Sequence, residues 1–461
     1  MGSGNTGIGG GGNGANGVPD QVIILAPSGD TTGATDVAAV NNAWATLRGK
    51  TQPGGRIVLG GGDWYVKGGS TAAHCIFFDL STYPARIEIV GQGQATRIHN
   101  VDTANADTIF VDGGSEGNVG TVNGCWFAAR NMYLVGNSTC GVGVYLLGLF
   151  QGEVEAVSIN GHTNSNTDPR DPSQQSQPYG TGLVLNQSID VTVINPVITG
   201  NQWGISLEGY ANINNFQGGW IYNNLNVNCL VADPLAVGNV FTGTVFQGGT
   251  SSASGCVLFK TRGAATKCYG CWWEQAPASG YALIGAAPDC LFDGVVGGGN
   301  GAGAIDVLLQ YNTTGGAKYT DLGNDSTYRL HFNQTTSVVT IDSGATGNRF
   351  VDCGANLTLS NITDNSSGLG AVIRDCPGIN PVGAITVAVP ASGTAAAAAI
   401  YDRWFYVTSA DATTKVAVSG VSTFTTATIP SGATVPVFVP AGSTITPTYT
   451  TTGPTWTVQG L

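Results

Sequence analysis

Charge is scarce in this chain. Asp, Glu, Lys and Arg make up 10% of its 461 residues, against about 25% in ordinary globular chains. The 17 basic residues are outnumbered by 29 acidic ones, for a net charge of −12. A protein that follows a phosphate backbone needs the opposite balance, so nucleic acid is not an expected partner. No window approaches the roughly 18 apolar residues of a membrane helix, so no membrane insertion is expected. The first residues, MGSGNTGIGGGGNGANGVPD, lack the basic and apolar regions of a signal peptide and read as a flexible Gly-rich arm over 1–20. Long charged helix-forming stretches are also missing.

What fills the space is glycine, 70 residues of it, with abundant Thr, Asn, Ala and Val. That mixture makes strands and turns. Ten cysteines are scattered through a long chain and several fall at strand positions that point inward, so most read as small buried apolar residues.

The chain opens with a strand at Val22 to Leu25. A helix carrying Val37, Val40, Trp44 and Leu47 on one face follows, with Asp36 as its expected cap. GGRIVLGGGDWYV and ARIEIVGQGQATRIHN then alternate apolar and polar residues around Gly turns. The middle is repetitive. Eight-residue words align from Asn131, Glu153, Asp190, Asn215, Asn239, Lys267 and Asp289, in steps of 22, 37, 25, 24, 28 and 22 residues by subtraction. Their second positions are always apolar: Met132, Val154, Val191, Phe216, Val240, Cys268 and Cys290. A period of roughly 20–25 residues suits a solenoid coil of short strands and turns. The long step holds GHTNSNTDPRDPSQQSQPYG (161–180), a loop inserted in one coil. Beyond CPGINPVG the chain turns into a Thr/Val/Pro-rich series of short strands, a small β-sandwich or jelly-roll over 379–461. The Ala run 395–399 is too short and too closely flanked by strands to be a helix.

The opening words GDTTGATDVAAVNNAW, GGRIVL, GGDWYV and IEIVGQGQATRI resemble the start of pectate-lyase-superfamily β-helix proteins, phage tailspikes among them, although Gly60-Gly61-Gly62 replaces the usual Pro-Pro-Gly turn. The words VPASGTA, VPAGSTIT and GPTWT resemble the terminal domain of minor tail proteins of phages infecting actinobacteria. The resemblance touches roughly 150 residues at the two ends. It implies an all-β fold: a right-handed parallel β-helix with a short N-terminal capping helix over 21–378, then the C-terminal β-sandwich. It also implies a homotrimer, assembled with help from the C-terminal domain. A virion location follows, with the N-terminal arm docked to other tail proteins and the rod contacting host cell-surface glycan. Activity is implied only weakly, since such folds host lyases, hydrolases and plain binders.

Two functional classes follow: a tail spike or fibre that binds envelope glycan unchanged, and a depolymerase working on the β-helix flank. A secreted cellular polysaccharide lyase is a weaker third. For catalysis the candidates are Glu153 and Glu155, which flank an inward Val154, and Asp190, matched to Glu153 one coil on. Such carboxylates stack closely enough for a hydrolase pair, and the 161–180 loop is placed to wall their cleft. The competing reading makes all three solvated coil-face residues. For glycan contact the candidates are Trp203, Tyr210, Trp273, Glu208 and Glu274, since flat aromatic faces suit sugar CH groups. Core filling competes for the aromatics. In CWWE, Trp272 and Trp273 must face opposite ways. Chance matches are set aside: Gly91-Gln92-Gly93 lacks the rest of a dinucleotide fingerprint, and Gly113 to Gly117 sits in no strand-to-helix elbow. Cys268 and Cys271 lack a second ligand pair for zinc. His74, His99, His162 and His331 form no motif. No cofactor and no metal are expected.

Overall fold

The computed structural model describes residues 21–68, 73–114, 125–170, 177–249, 252–310, 325–334, 336, 338–354, 356–366, 370–380 and 382–461. The Gly-rich arm and the middle of the inserted loop lie outside these residues, as does part of the Gly113 to Gly117 match. The chain divides into two compact units. One runs up to Leu283 and includes Gly299–Ala304; the other holds Ile284–Gly298 and Ile305–Leu461.

The first unit is a parallel β-helix, winding right-handed as parallel crossovers do. Inward residues stack coil on coil in three ladders. One runs Ile23, Ile57, Ile89, Ala129, Val154, Val193, Phe216, Phe241 and Cys268. A second runs Trp64, Ile98, Leu134, Ile159, Ile198, Ile221, Phe246 and Trp273. The third, on the facing sheet, runs Ile76, Ile109, Val144, Leu183, Ile205, Cys229 and Phe259. These side chains are buried, and the rings of Phe216 and Phe241 stack 4.5 Å apart. Buried asparagines tie the corners, with Asn201 donating to Asn224 (3.1 Å) and Asn214 to Asn239 (3.0 Å).

This register corrects the aligned words. Val154 pairs with Val193 rather than Val191. The inward partner of Phe216 is Phe241, while Val240 is half-exposed beside Asn215. The physical cause is that the connections outside this face vary in length, Thr192 to Asn215 being 23 residues apart and Val240 to Lys267 27 by subtraction, while the bend within the face, as at Ala156 (φ 51°) and Asn195 (φ 47°), keeps a constant length. Ungapped words therefore slide by one to three residues.

The helix Ala34–Arg48 caps the N-terminal end, with Val40, Ala43, Trp44 and Leu47 buried. Asp36 is not its cap. Its carboxylate accepts from the backbone N–H groups of Ser28 (2.8 Å) and Tyr65 (2.9 Å), and Asp30 accepts from the Thr35 amide instead. The words GGRIVL and GGDWYV are the strands Gly54–Leu59 and Gly62–Val66. Gly54 is required: a Cβ there would lie 2.1 Å from the Arg86 carbonyl oxygen of the next coil.

The second unit continues the same construction, with Phe292, Tyr328, Phe350 and Ile373 in register. It ends in an antiparallel sandwich. Gly383–Ile385, Thr455–Gly460, Arg403–Thr408 and Thr434–Val439 form one sheet; Phe424–Thr425, Lys415–Ser419 and Thr444–Thr448 form the other. Phe405, Val407, Val416, Val418, Val439 and Ile445 fill the space between. The Ala run is extended, and Ala396 bridges to Ile445. All ten cysteines are buried free thiols. Among the described residues no helix is long and apolar enough to cross a membrane.

Because Phe241 stacks on Phe216 and meets Phe246 and Phe259 edge-on, Phe241→Ala is expected to cost about 3–5 kcal/mol. The exposed Gln217→Ala should cost no more than about 0.5 kcal/mol. Chemical denaturation of the two variants checks the contrast.

Candidate functional site

The outward residues of the first unit fall into columns as regular as the inward ones. Along the first short strand, one column runs Glu153, Thr192, Asn215, Val240 and Lys267. Its neighbour runs Glu155, Ile194, Gln217, Thr242 and Tyr269. Along the second, the columns are Val197, Trp220, Val245 and Trp272, then Thr199, Tyr222, Gln247 and Glu274. Parity leaves three aromatic side chains in the open: Trp220 (47% exposed), Trp272 (45%) and Tyr269 (39%). The Trp220 indole donates from Nε1 to Gln247 Oε1 (3.0 Å), and its ring lies 5.2 Å from that of Tyr222. Trp220 and Trp272 are two coils apart, about 10 Å at the strand spacing. Beside them a shallow groove of about 700 Å³ is lined by Asp190, Asn215, Gln217, Thr242 and Tyr269, among others. The face thus offers flat apolar rings interleaved with amide, hydroxyl and carboxylate groups.

Of the residues expected to contact glycan, Glu274 lies on this face, half-buried at the end of a column. Trp273 does not. It is fully buried in the core, stacked on Phe246 at 6.2 Å, and its outward neighbour is Trp272. Trp203 and Glu208 belong to the facing sheet and are buried. Trp203 packs with Leu230 and Ala232, and Gln177 donates its side-chain amide to the Glu208 carboxylate. Tyr210 is half-buried just beyond that strand. The phase of each strand decides which aromatic emerges.

The catalytic candidates are also redistributed. Asp190 stands opposite Gln151, whose side chain donates to it (3.0 Å), while Thr192 stands opposite Glu153. The match between Asp190 and Glu153 is therefore wrong by two residues. Glu153 and Glu155 converge on one arginine. Arg130 reaches Glu153 Oε2 at 2.8 Å, Glu155 Oε2 at 3.2 Å and Glu88 Oε1 at 3.1 Å, and Glu88 also pairs with Arg56. The small Ala128, opposite both Glu88 and Glu153, leaves Arg130 the room. Burial lifts the Glu153 carboxyl above the usual range; Arg130 opposes this, and a hydrogen bond with Glu155 adds to it. Two carboxyls in contact are nearer than the about 5–9.5 Å between the acid pair of glycosidases. The cluster is an ion-pair ladder that holds coils together.

The described parts of the inserted loop do not wall these carboxylates. They lie on the outer face of the other sheet, where Phe110, Tyr145 and Val184 are buried. Arg170 holds them there, bonding Asp107 through two nitrogens (2.6 and 3.0 Å) and Asp168 (2.6 Å), with its guanidinium 4.4 Å from the centre of the Tyr145 ring. His74 Nδ1 adds a 2.9 Å contact to Asp107. Burial pushes the Asp107 carboxyl up, but Arg170 and His74 outweigh it and hold the group below the usual carboxylate range. Among the described residues, no group of three or more His, Cys, Asp and Glu side chains is placed to hold a metal ion.

No family model matches the chain, and no curated protein does. Solved structures do. The chain is similar to ORF18 of Geobacillus virus E2, at 14% identity over 91% of this chain and 72% of that one, with a TM-score of 0.47. It is similar to the catalytic domain of a GH87 α-1,3-glucanase bound to tetrasaccharides, at 12% identity over 77% of this chain and 58% of that one (TM-score 0.41). It is also similar to the A-module of a mannuronan C-5 epimerase from Azotobacter vinelandii, at 14% identity over 74% of this chain and 94% of that one (TM-score 0.40).

Arg170→Ala would strand the buried Asp107 carboxylate and is expected to cost about 3–5 kcal/mol at neutral pH. Because the folded carboxyl is depressed, the wild-type latch contributes fully above the unfolded pKa of about 3.9 and weakens as pH falls below it. The variant's deficit should therefore shrink on acidification, which denaturation curves between pH 7 and pH 3 would show.

Proposed function

We propose that this chain is a bacteriophage tail spike or fibre, a minor tail protein that recognises host cell-envelope glycan without cleaving it. One observation carries the reading: Trp220, Trp272 and Tyr269 stand exposed on a flat parallel sheet, interleaved with Asn215, Gln217, Gln247 and Glu274. Exposed rings cost water contact unless something covers them. Rings flanked by hydrogen-bonding groups suit sugars, whose CH faces are apolar and whose edges are hydroxyls. Two further features support it. The backbone of the face is held by parallel bonding in every coil, so the site is rigid before it binds. The C-terminal words similar to phage minor tail proteins fold as their own sandwich. In this reading three copies assemble, and the Gly-rich arm joins them to other tail proteins at the virion. Actinobacterial cell walls are the target that the C-terminal resemblance points to. A glycoside hydrolase needs a carboxyl pair apart from each other, and Glu153 and Glu155 meet instead on Arg130.

The test is sedimentation of the purified protein with isolated actinobacterial cell walls, with reducing ends assayed in the supernatant. Saturable binding without new reducing ends is expected. Trp220→Ala and Trp272→Ala should each weaken binding by about 1 kcal/mol. Release of reducing ends would replace the adhesin with a depolymerase.

A further inference from the structure

Five successive coils of the first unit turn the same corner with one residue in the left-handed region. Gln151 (φ 74°), Asp190 (59°), Ile213 (51°), Gly238 (73°) and Ala265 (54°) stack there, the amide of each of the middle three bonding a carbonyl of the next coil. Gly, Asp and Gln at such a corner are unremarkable. Ile213 is not. Among the described residues it is the one β-branched side chain with positive φ, a conformation that brings Cβ against the following carbonyl. Nor does burial compensate: Ile213 is 60% exposed, more than any of the exposed aromatics. A residue that is both strained and uncovered gains nothing for the fold. It lines the groove, its Cγ2 within 3.7 Å of where a side chain on Gly238 would begin.

The neighbours of Ile213 define what would cover it. Asp190 offers a carboxylate, Asn215 and Gln217 offer amide donors and acceptors, and Val240 adds a second apolar surface. No Lys or Arg lines this groove. An acetamido group combines one N–H donor, one C=O acceptor and one methyl. We propose that Ile213 is a specificity-determining residue of the glycan face, and that the groove takes the N-acetyl group of a neutral amino sugar against it. The proposal rests on the glycan-binding reading above.

The test uses two hexasaccharides with the same β-1,4 linkage, one of N-acetylglucosamine and one of glucose, titrated calorimetrically into the full chain. The wild type should bind the N-acetylated chain about tenfold more tightly. Ile213→Asn should bring the two affinities together while raising the melting temperature, because Asn accepts the left-handed corner. Loss of affinity with gain of stability separates a ligand contact from a packing residue. Equal wild-type affinities, no binding of either hexasaccharide, or a preference that survives in Ile213→Asn would each overturn the proposal. If Trp220-dependent binding to cell walls persists in such a case, the glycan reading stands and only the acetamido assignment falls. If wall binding is absent too, and Ile213→Asn changes the sedimentation coefficient, the corner is a contact between copies and both fall.

Discussion

Every coil of the first unit places its backbone about 4.8 Å from the next, and that single repeat governs both faces of the sheet. Inward, it forces like to sit on like, so Ile221 must accept Phe246 and Phe246 must accept Trp273. Outward, it sets Trp220 and Trp272 in one file with Val245 between them. Neither arrangement can be altered at one coil without the other responding, because a one-residue slip exchanges the two faces. Parallel pairing thus fixes the interior and the binding surface together.

That coupling explains how far the sequence could be read. Composition and a period of 22 to 28 residues were enough for the solenoid, and the change of texture after CPGINPVG marked the sandwich. The sites were harder, because they depend on phase. CWWE shows that one tryptophan must emerge, but choosing Trp272 over Trp273 requires knowing where the preceding bend falls. The bend at Gly270 (φ 59°) matches those at Asn195, Gly218 and Gly243 in the preceding coils, so it is the unequal connections outside the face that hide its place in the sequence. The same slip misplaced Asp190 by two residues against Glu153. Glu208 could not have been recognised as buried, since the chain that covers it is the inserted loop, joined by Gln177 from a different coil. Local alternation says which side of a strand a residue takes, not whether another segment lies over it.

Charge is used sparingly. Arg130 and Arg170 each gather two or more carboxylates at places where the coil stack meets an irregularity: the small Ala128, and the inserted loop. Such clusters add little net stability when whole and cost much when broken. Their value is positional, since only one placement of the loop brings Arg170 onto both Asp107 and Asp168.

The interior behind that face differs from the rest of the unit. Apart from Trp64 at the cap, the ladders of the earlier coils are aliphatic or cysteine, whereas beneath Trp220 and Trp272 they become Phe216, Phe241, Phe246, Phe259 and Trp273, ring against ring at 4.5 to 6.2 Å. In the proposed adhesin, a tethered cell would pull on its anchor. Traction applied across several coils at once is shared among parallel rows of backbone bonds and passed to rings that have few torsions to yield through. In the proposed adhesin, the aromatic core would act as a mechanical footing, concentrated where the load would enter.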